Sequence, residues 1–230
     1  MRRYFSFFIL AAAAVAHGQF VYPNPSEHQQ KVPGTYAEDP FITKYRQKFF
    51  AVFKGDLKTF NEGYAEIEAM TKKDPKDARA LVWLGNGQTI KAGQLYLMGQ
   101  EDAALKLLDV SRKTLDNAVA MRPKDYNIYM MRAATLYVQG QYFPASAIPK
   151  ANWEKLRDDC LSLIRDFGAD KLANSSVHVR GEAYGELGIA YARLGEKEKA
   201  KAAFRKVVEQ NPGTAYEERA KKEIAALDAK

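Results

Sequence analysis

The sequence predicts an all-α protein, a solenoid of antiparallel helix pairs with about nine helices between residue 39 and the end. Three observations carry that prediction. Strand signals are almost absent, and Asn86-Gly87 is not flanked by alternating apolar runs, so it is no hairpin turn. Proline-containing breaks recur, as Asp74-Pro75-Lys76-Asp77, Arg122-Pro123-Lys124-Asp125 and Asn211-Pro212-Gly213. Between the breaks, apolar residues step by three and four, the spacing of one helix face.

The elements follow in order. Asp39-Pro40 reads as an N-cap followed by proline at the first helical position, opening a helix to about Phe53. Gly55-Asp56 starts a second helix, to about Lys72. Asp77 caps a third, and Gly99-Gln100 separates it from a fourth, which runs through about Met121. Asp125 caps a fifth helix to about Val138, with Gly140 as its stop. Pro144 and Pro149 interrupt the chain, and a helix resumes around Ala151 with Trp153, Leu156, Cys160 and Leu163 as its stripe. Asn174-Ser175-Ser176-Val177 reads as the next helix start. The last helix, Thr214 to Leu227, has Tyr216, Ala220, Ile224 and Leu227 on one face, with Glu217, Arg219, Lys221 and Lys222 off it. It reads as a polar cap on the stack.

The first eighteen residues read as a secretory signal peptide. Arg2 and Arg3 precede a nearly apolar run from Tyr4 to Ala16, and small-x-small cleavage patterns follow. The run is too short to cross a ~30 Å hydrocarbon core comfortably, so an uncleaved anchor is the less favoured alternative. Residues 19–38, with Pro23, Pro25, Pro33 and Gly34 among polar neighbours, read as a flexible leader. The expected product is a periplasmic or secreted protein with no stable membrane span after cleavage.

Composition narrows the function. The 230 residues are 47% hydrophobic and 27% charged, ordinary values for a globular chain. The net charge of +7 falls to +5 without Arg2 and Arg3, and basic residues alternate with acidic ones, as in Glu196-Lys197-Glu198-Lys199. That is a solvated helix surface, and no nucleic-acid partner is expected. One cysteine excludes an intramolecular disulfide. Cys160 lies on an apolar stripe and reads as a buried core residue, with intermolecular pairing as the sharper alternative. His17, His28 and His178 have no ligand-spaced neighbours, so no metal is expected, and His178 reads as a surface residue. Gly85-Asn86-Gly87 lacks the third glycine of a dinucleotide fingerprint, Ile90 standing there. Carboxylate pairs such as Asp158-Asp159 read as solvent-exposed. With no catalytic constellation and no cofactor motif, an enzyme is not expected.

An internal repeat near the C-terminal end carries the strongest fold signal. From Gly181 to Pro212 the chain reads Tyr184, Leu187-Gly188, Tyr191, Gly195, Ala200, Phe204, Val207 and Pro212. This resembles the tetratricopeptide repeat, with Val207 in place of the usual alanine. Tyr184, Gly188 and Tyr191 share one helix face; Gly188 permits close approach of the neighbouring backbone, and Gly195 permits the turn. Tyr129, Arg132-Ala133, Leu136 and Gly140 repeat the first half more weakly, with Arg132 where leucine is commoner. Residues 39–75 form a degenerate pair, 78–123 an elongated pair, 125–170 an interrupted pair, 181–212 the best-matching repeat and 214–228 a capping helix. Pro75 to Pro123 spans 48 residues against a usual repeat of about 34, so an even split lengthens each helix by about 10 Å.

The resemblance implies a right-handed superhelix whose first helices line a groove for peptides or partner segments. By that likeness the groove positions are Val82, Asn86 and Thr89; Met130, Ala134 and Tyr137; and Gly185, Ile189 and Arg193, the last chosen one step beyond Ala192 for its reach. They resemble little of the two-carboxylate clamp of some cytosolic members: only Asn86 fits, and its lysines are absent. The expected function is a non-enzymatic exported scaffold that binds a protein or peptide segment of the cell envelope. Two alternatives stand beside it, a self-associating structural component and a small-ligand accessory subunit of a transport system. The long helices from 78 to 121 are the feature that would cover the groove if it is closed.

Overall fold

A computed structural model describes residues 39–229 of the chain. The expected signal peptide and leader, with His17 and His28, lie outside the described residues. Ten α-helices follow one another, joined by turns and two 3-10 segments, and no strand occurs among the described residues. They are α1 (Pro40–Phe50), α2 (Leu57–Lys73), α3 (Ala78–Leu97), α4 (Glu101–Met121), α5 (Tyr126–Tyr142), α6 (Lys150–Phe167), α7 (Ala169–Ala173), α8 (Val177–Arg193), α9 (Lys197–Gln210) and α10 (Ala215–Asp228). The 3-10 segments are Ala51–Lys54 and Ala145–Ala147. The count exceeds the expected nine because the five-residue α7 forms between Gly168 and Asn174, a stretch too short to show periodicity in the sequence.

Aspartates start four of the helices. Asp39, Asp56, Asp77 and Asp125 each accept a hydrogen bond from a first-turn backbone N–H, at 2.8, 3.0, 3.0 and 3.1 Å. Each satisfies a donor that the helix itself leaves unpaired. Antiparallel neighbours then pack in pairs: α1 with α2, α3 with α4, α5 with α6, and α8 with α9, with α10 laid on α9. Successive pairs join where α3 meets α2 and α5, and where α8 meets α6. The architecture is a TPR-like solenoid of helix pairs.

The elongated pair is long unevenly. Beside α8 and α9, with 17 and 14 residues, α3 and α4 have 20 and 21. At 1.5 Å per residue, α3 gains only about 5 Å and α4 about 10 Å.

Gly140 does not stop α5, which runs on to Tyr142. Its role is spatial: a Cβ at 140 would fall inside the Trp153 indole of α6. Gly188 is likewise used for close approach, but to a ring instead of a backbone, since a Cβ there would lie 2.6 Å from the Phe204 ring of α9. The stripe of α6 is buried throughout, with Trp153, Leu156, Cys160 and Leu163 all in the core. Burial holds the Cys160 thiol far above its ordinary range, so it is an unreactive core group.

Arg132, the residue out of place in the repeat pattern, is explained by charge. It bonds Asp159 through both oxygens, at 2.8 and 2.7 Å, and Asp116 at 2.9 Å. Asp159 is therefore not solvent-exposed as its sequence context predicts; it is buried on α6 behind α5. Burial lifts its carboxyl to about 6 even though the guanidinium pulls the other way. Removing Arg132 alone would strand the buried Asp159 carboxyl, the expensive half of breaking a buried ion pair, while Asp116 would keep Lys155.

The glycine assignments predict opposite responses from two residues of the same type. Gly140→Ala should lower stability by about 1–3 kcal/mol through overpacking against Trp153. Gly93→Ala, at an α3 position where a Cβ meets nothing within 4 Å, should raise it by up to about 1 kcal/mol. Urea unfolding of the two variants measures both.

Candidate functional site

A cavity of about 190 Å³ opens on the inner face of the first helices. Helices α3, α5 and α8 form its walls. Arg46, Phe50 and Phe53 close it at the α1 end, and Tyr216 and Arg219 of α10 close it at the other. The long α3–α4 pair therefore does not roof the groove; the two terminal elements bound it.

Of the nine expected groove residues, six line this cavity: Asn86, Thr89, Met130, Ala134, Tyr137 and Gly185. Three do not. Val82 is 3% exposed and Ile189 6%, and both point into the core clusters, because α3 and α8 are enclosed on more than one side. Arg193 lies off the cavity, with its guanidinium 5.5 Å from the Trp153 ring centroid. Asn86 and Thr89 are also already engaged. Asn86 donates to the Thr135 hydroxyl at 3.0 Å, and the Thr89 hydroxyl lies 2.8 Å from that of Ser111 and accepts from Gln139 at 2.9 Å.

The cavity's charged groups are ones that the sequence pattern did not single out. Glu182 and Glu186 stand one turn apart on α8 and face it together. Glu182 lies one turn before Gly185, so the face that marked Gly185 as a groove residue marks Glu182, and Glu186 follows Glu182 one turn on. Glu186 is 8% exposed and makes no ion pair or side-chain hydrogen bond with any described residue. The Arg219 guanidinium, whose charge acts on it, bonds the Tyr137 hydroxyl and stacks 5.0 Å from that ring's centroid. Burial, and then the neighbouring Glu182 charge, push the Glu186 carboxyl far above the carboxylate range. Burial raises Glu182 to about 8.

His178 is not the surface residue that its sequence context predicts. Its Nδ1 lies 2.8 Å from the Tyr216 hydroxyl and its Nε2 lies 3.2 Å from Glu182 Oε2. Burial, helped by the charge of Arg46, depresses it to about 4. A neutral imidazole accepting the Glu182 proton at Nε2 and donating from Nδ1 to Tyr216 satisfies all three groups. Arg219, placed on the polar side of α10 by the sequence, reaches the cavity because it sits three residues after the buried Tyr216. That spacing was the available signal.

No group of three potential metal ligands occurs among the described residues, and none of the described helices is long and apolar enough to cross a membrane.

Residues 181–214, the segment formed by most of α8, all of α9 and the turn after it, match the tetratricopeptide repeat family. The chain therefore carries one tetratricopeptide repeat in this segment. A comparison with curated proteins finds no match. Within the repeat, Gly195 takes the left-handed backbone at φ 80° that the turn between α8 and α9 requires, and Phe204 fills the space left by Gly188. A repeat of this kind suggests a protein-interaction scaffold.

The raised carboxyls make stability fall with pH. Unfolded glutamates give up their protons near 4.5, whereas folded Glu182 holds its own to about 8 and Glu186 higher. The unfolded state binds fewer protons in that window, so the stability present below about pH 4.5 is progressively lost as pH rises through 8. The thermal midpoint of the chain should drop across this range. The double variant Glu182→Gln, Glu186→Gln should flatten the profile, which scanning calorimetry at several pH values checks.

Proposed function

We propose that this is a non-enzymatic, exported tetratricopeptide-repeat scaffold that receives a segment of another envelope protein in the cavity walled by α3, α5 and α8. The observation that supports this best is the cavity itself. It lies along the first helices of three successive pairs, with Met130, Ala134 and Tyr137 at its centre and Trp83 and Phe50 beside them. An apolar and aromatic lining interrupted by a few directed polar groups is the usual composition of a recognition surface.

Ala134 is the position at which to test it. Its small, half-buried side chain faces the cavity without belonging to a core cluster. Ala134→Trp should fill the cavity and leave the helices unchanged by circular dichroism. Crosslinking the protein in its native envelope should then lose the chains attached to the wild type. A folded Ala134→Trp variant that keeps every crosslinked chain would sink the groove reading.

Export rests on the basic, apolar and small-residue order of residues 1–18. Mass spectrometry of the protein from an expressing cell should find a mature chain starting near residue 17 or 19, recovered from the envelope or medium. An intact Met1 on cytosolic protein would contradict export.

A further inference from the structure

The carboxyl pair in the cavity is left unexplained by an apolar recognition groove. Leucine at 182 and 186 would complete the same wall at no electrostatic cost. A buried carboxyl without a hydrogen-bond partner is unfavourable, and more so when charged. Glu186 is such a group, 8% exposed, unpaired and facing the cavity beside Glu182.

We propose that Glu182 and Glu186 form an anchor for one basic side chain, a lysine ammonium or arginine guanidinium, carried by the partner segment that enters the groove. This rests on the groove reading above and names the chemistry of its occupant. Two acceptors one helical turn apart suit a donor-rich cation, and a charge-assisted hydrogen bond in a desolvated site is a strong one. Around them Trp83, Tyr142 and Met130 line the same cavity and offer apolar contact to its stem. The cavity's size favours a side chain over a free ligand, since about 190 Å³ lies below the ~300–1,000 Å³ of pockets that enclose drug-sized molecules.

The remaining charges around the pair leave the position open. From α1, Arg46 faces His178, which stays neutral. From α5, Tyr137 and Tyr142 are held in their neutral forms by burial. From α6, Asp159 is taken by Arg132, and the Cys160 thiol is neutral. From α10, Arg219 is committed to Tyr137, with Glu223 farther along the same helix. Helix α3 presents only uncharged side chains to the cavity.

Binding and protonation then compete. The free pair holds protons up to about pH 8, and an arriving cation displaces them. Affinity for a basic anchor should therefore rise with pH, by about tenfold per unit for each proton released, and rise less steeply above about 8, where Glu182 is ionised and only Glu186 still holds its proton.

The test uses the full chain and three probes. Two are libraries of acetylated, amidated heptapeptides identical but for the central residue, lysine in one and norleucine in the other. The third is n-butylammonium, the lysine head alone. Fluorescence anisotropy should show the lysine library binding about tenfold tighter or better than the norleucine library. That advantage should grow from about pH 6 to about pH 8 and vanish in Glu182→Gln, Glu186→Gln, whose helicity circular dichroism confirms. Glu186→Gln alone provides a milder variant and should lose part of the advantage. Equal binding of the two libraries, blocked by Ala134→Trp, would overturn the anchor and leave the groove standing. A lysine preference that persists in both glutamine variants would also overturn it. Binding of n-butylammonium without either library would replace the partner segment with a free amine. Binding of no probe, or library binding untouched by Ala134→Trp, would overturn anchor and groove together.

Discussion

The stacking of the helix pairs depends on one buried side chain, the carboxamide of Gln139. It is fully enclosed on α5, donates to Thr89 of α3 at 2.9 Å, and accepts from Arg112 of α4 at 3.1 Å and from Asn152 of α6 at 3.2 Å. Ser111, 2.8 Å from Thr89, passes the chain on to the Gly85 carbonyl at 2.7 Å. An amide in a dry interior must use its donors and acceptor or lose their solvation, so its partners cannot slide. Four helices from two pairs are thereby set in one register, and the inner faces of α3 and α5 come to lie side by side as cavity walls.

Charge works differently on the two sides of α5. Towards α6, Arg132 faces carboxylates on both neighbours, and every charge has a partner. Towards the cavity, Glu182 and Glu186 stay close together without a cation, and burial keeps their protons on. The first arrangement resembles a structural network, closed and specific. The second resembles a site, because Glu186 has no partner and faces open space instead of packed side chains. Both are buried ionisable clusters, and geometry alone separates their meanings.

Much of the fold was legible in the chain because its signals are local. Aspartate caps, proline breaks and apolar steps of three and four act within a turn or two of where they are written, so the helix order could be read directly. The last repeat was legible for the same reason: its glycines and aromatics answer to one another across a single turn. Gly140 was misread because a glycine that ends a helix and one that admits an indole look alike until Trp153 is placed. Asp159 was misread because its match to Arg132 spans 27 residues and two helices.

The candidate site divides along the same line. Six of its residues were legible from the groove face of the first helices, since that face follows from periodicity. Val82 and Ile189 were lost to the core because only packing decides which sides of a helix are enclosed. By itself the sequence determined the all-α class, the order of the pairs and the identity of the repeat at 181–214, since each is encoded at short range. Only the tertiary structure decided that α1 and α10 close the cavity, that His178 and Arg219 belong to it, and that Glu186 is left without a partner. Those facts depend on which distant surfaces exclude water from one another, and desolvation is a property of the assembled stack that no single helix carries.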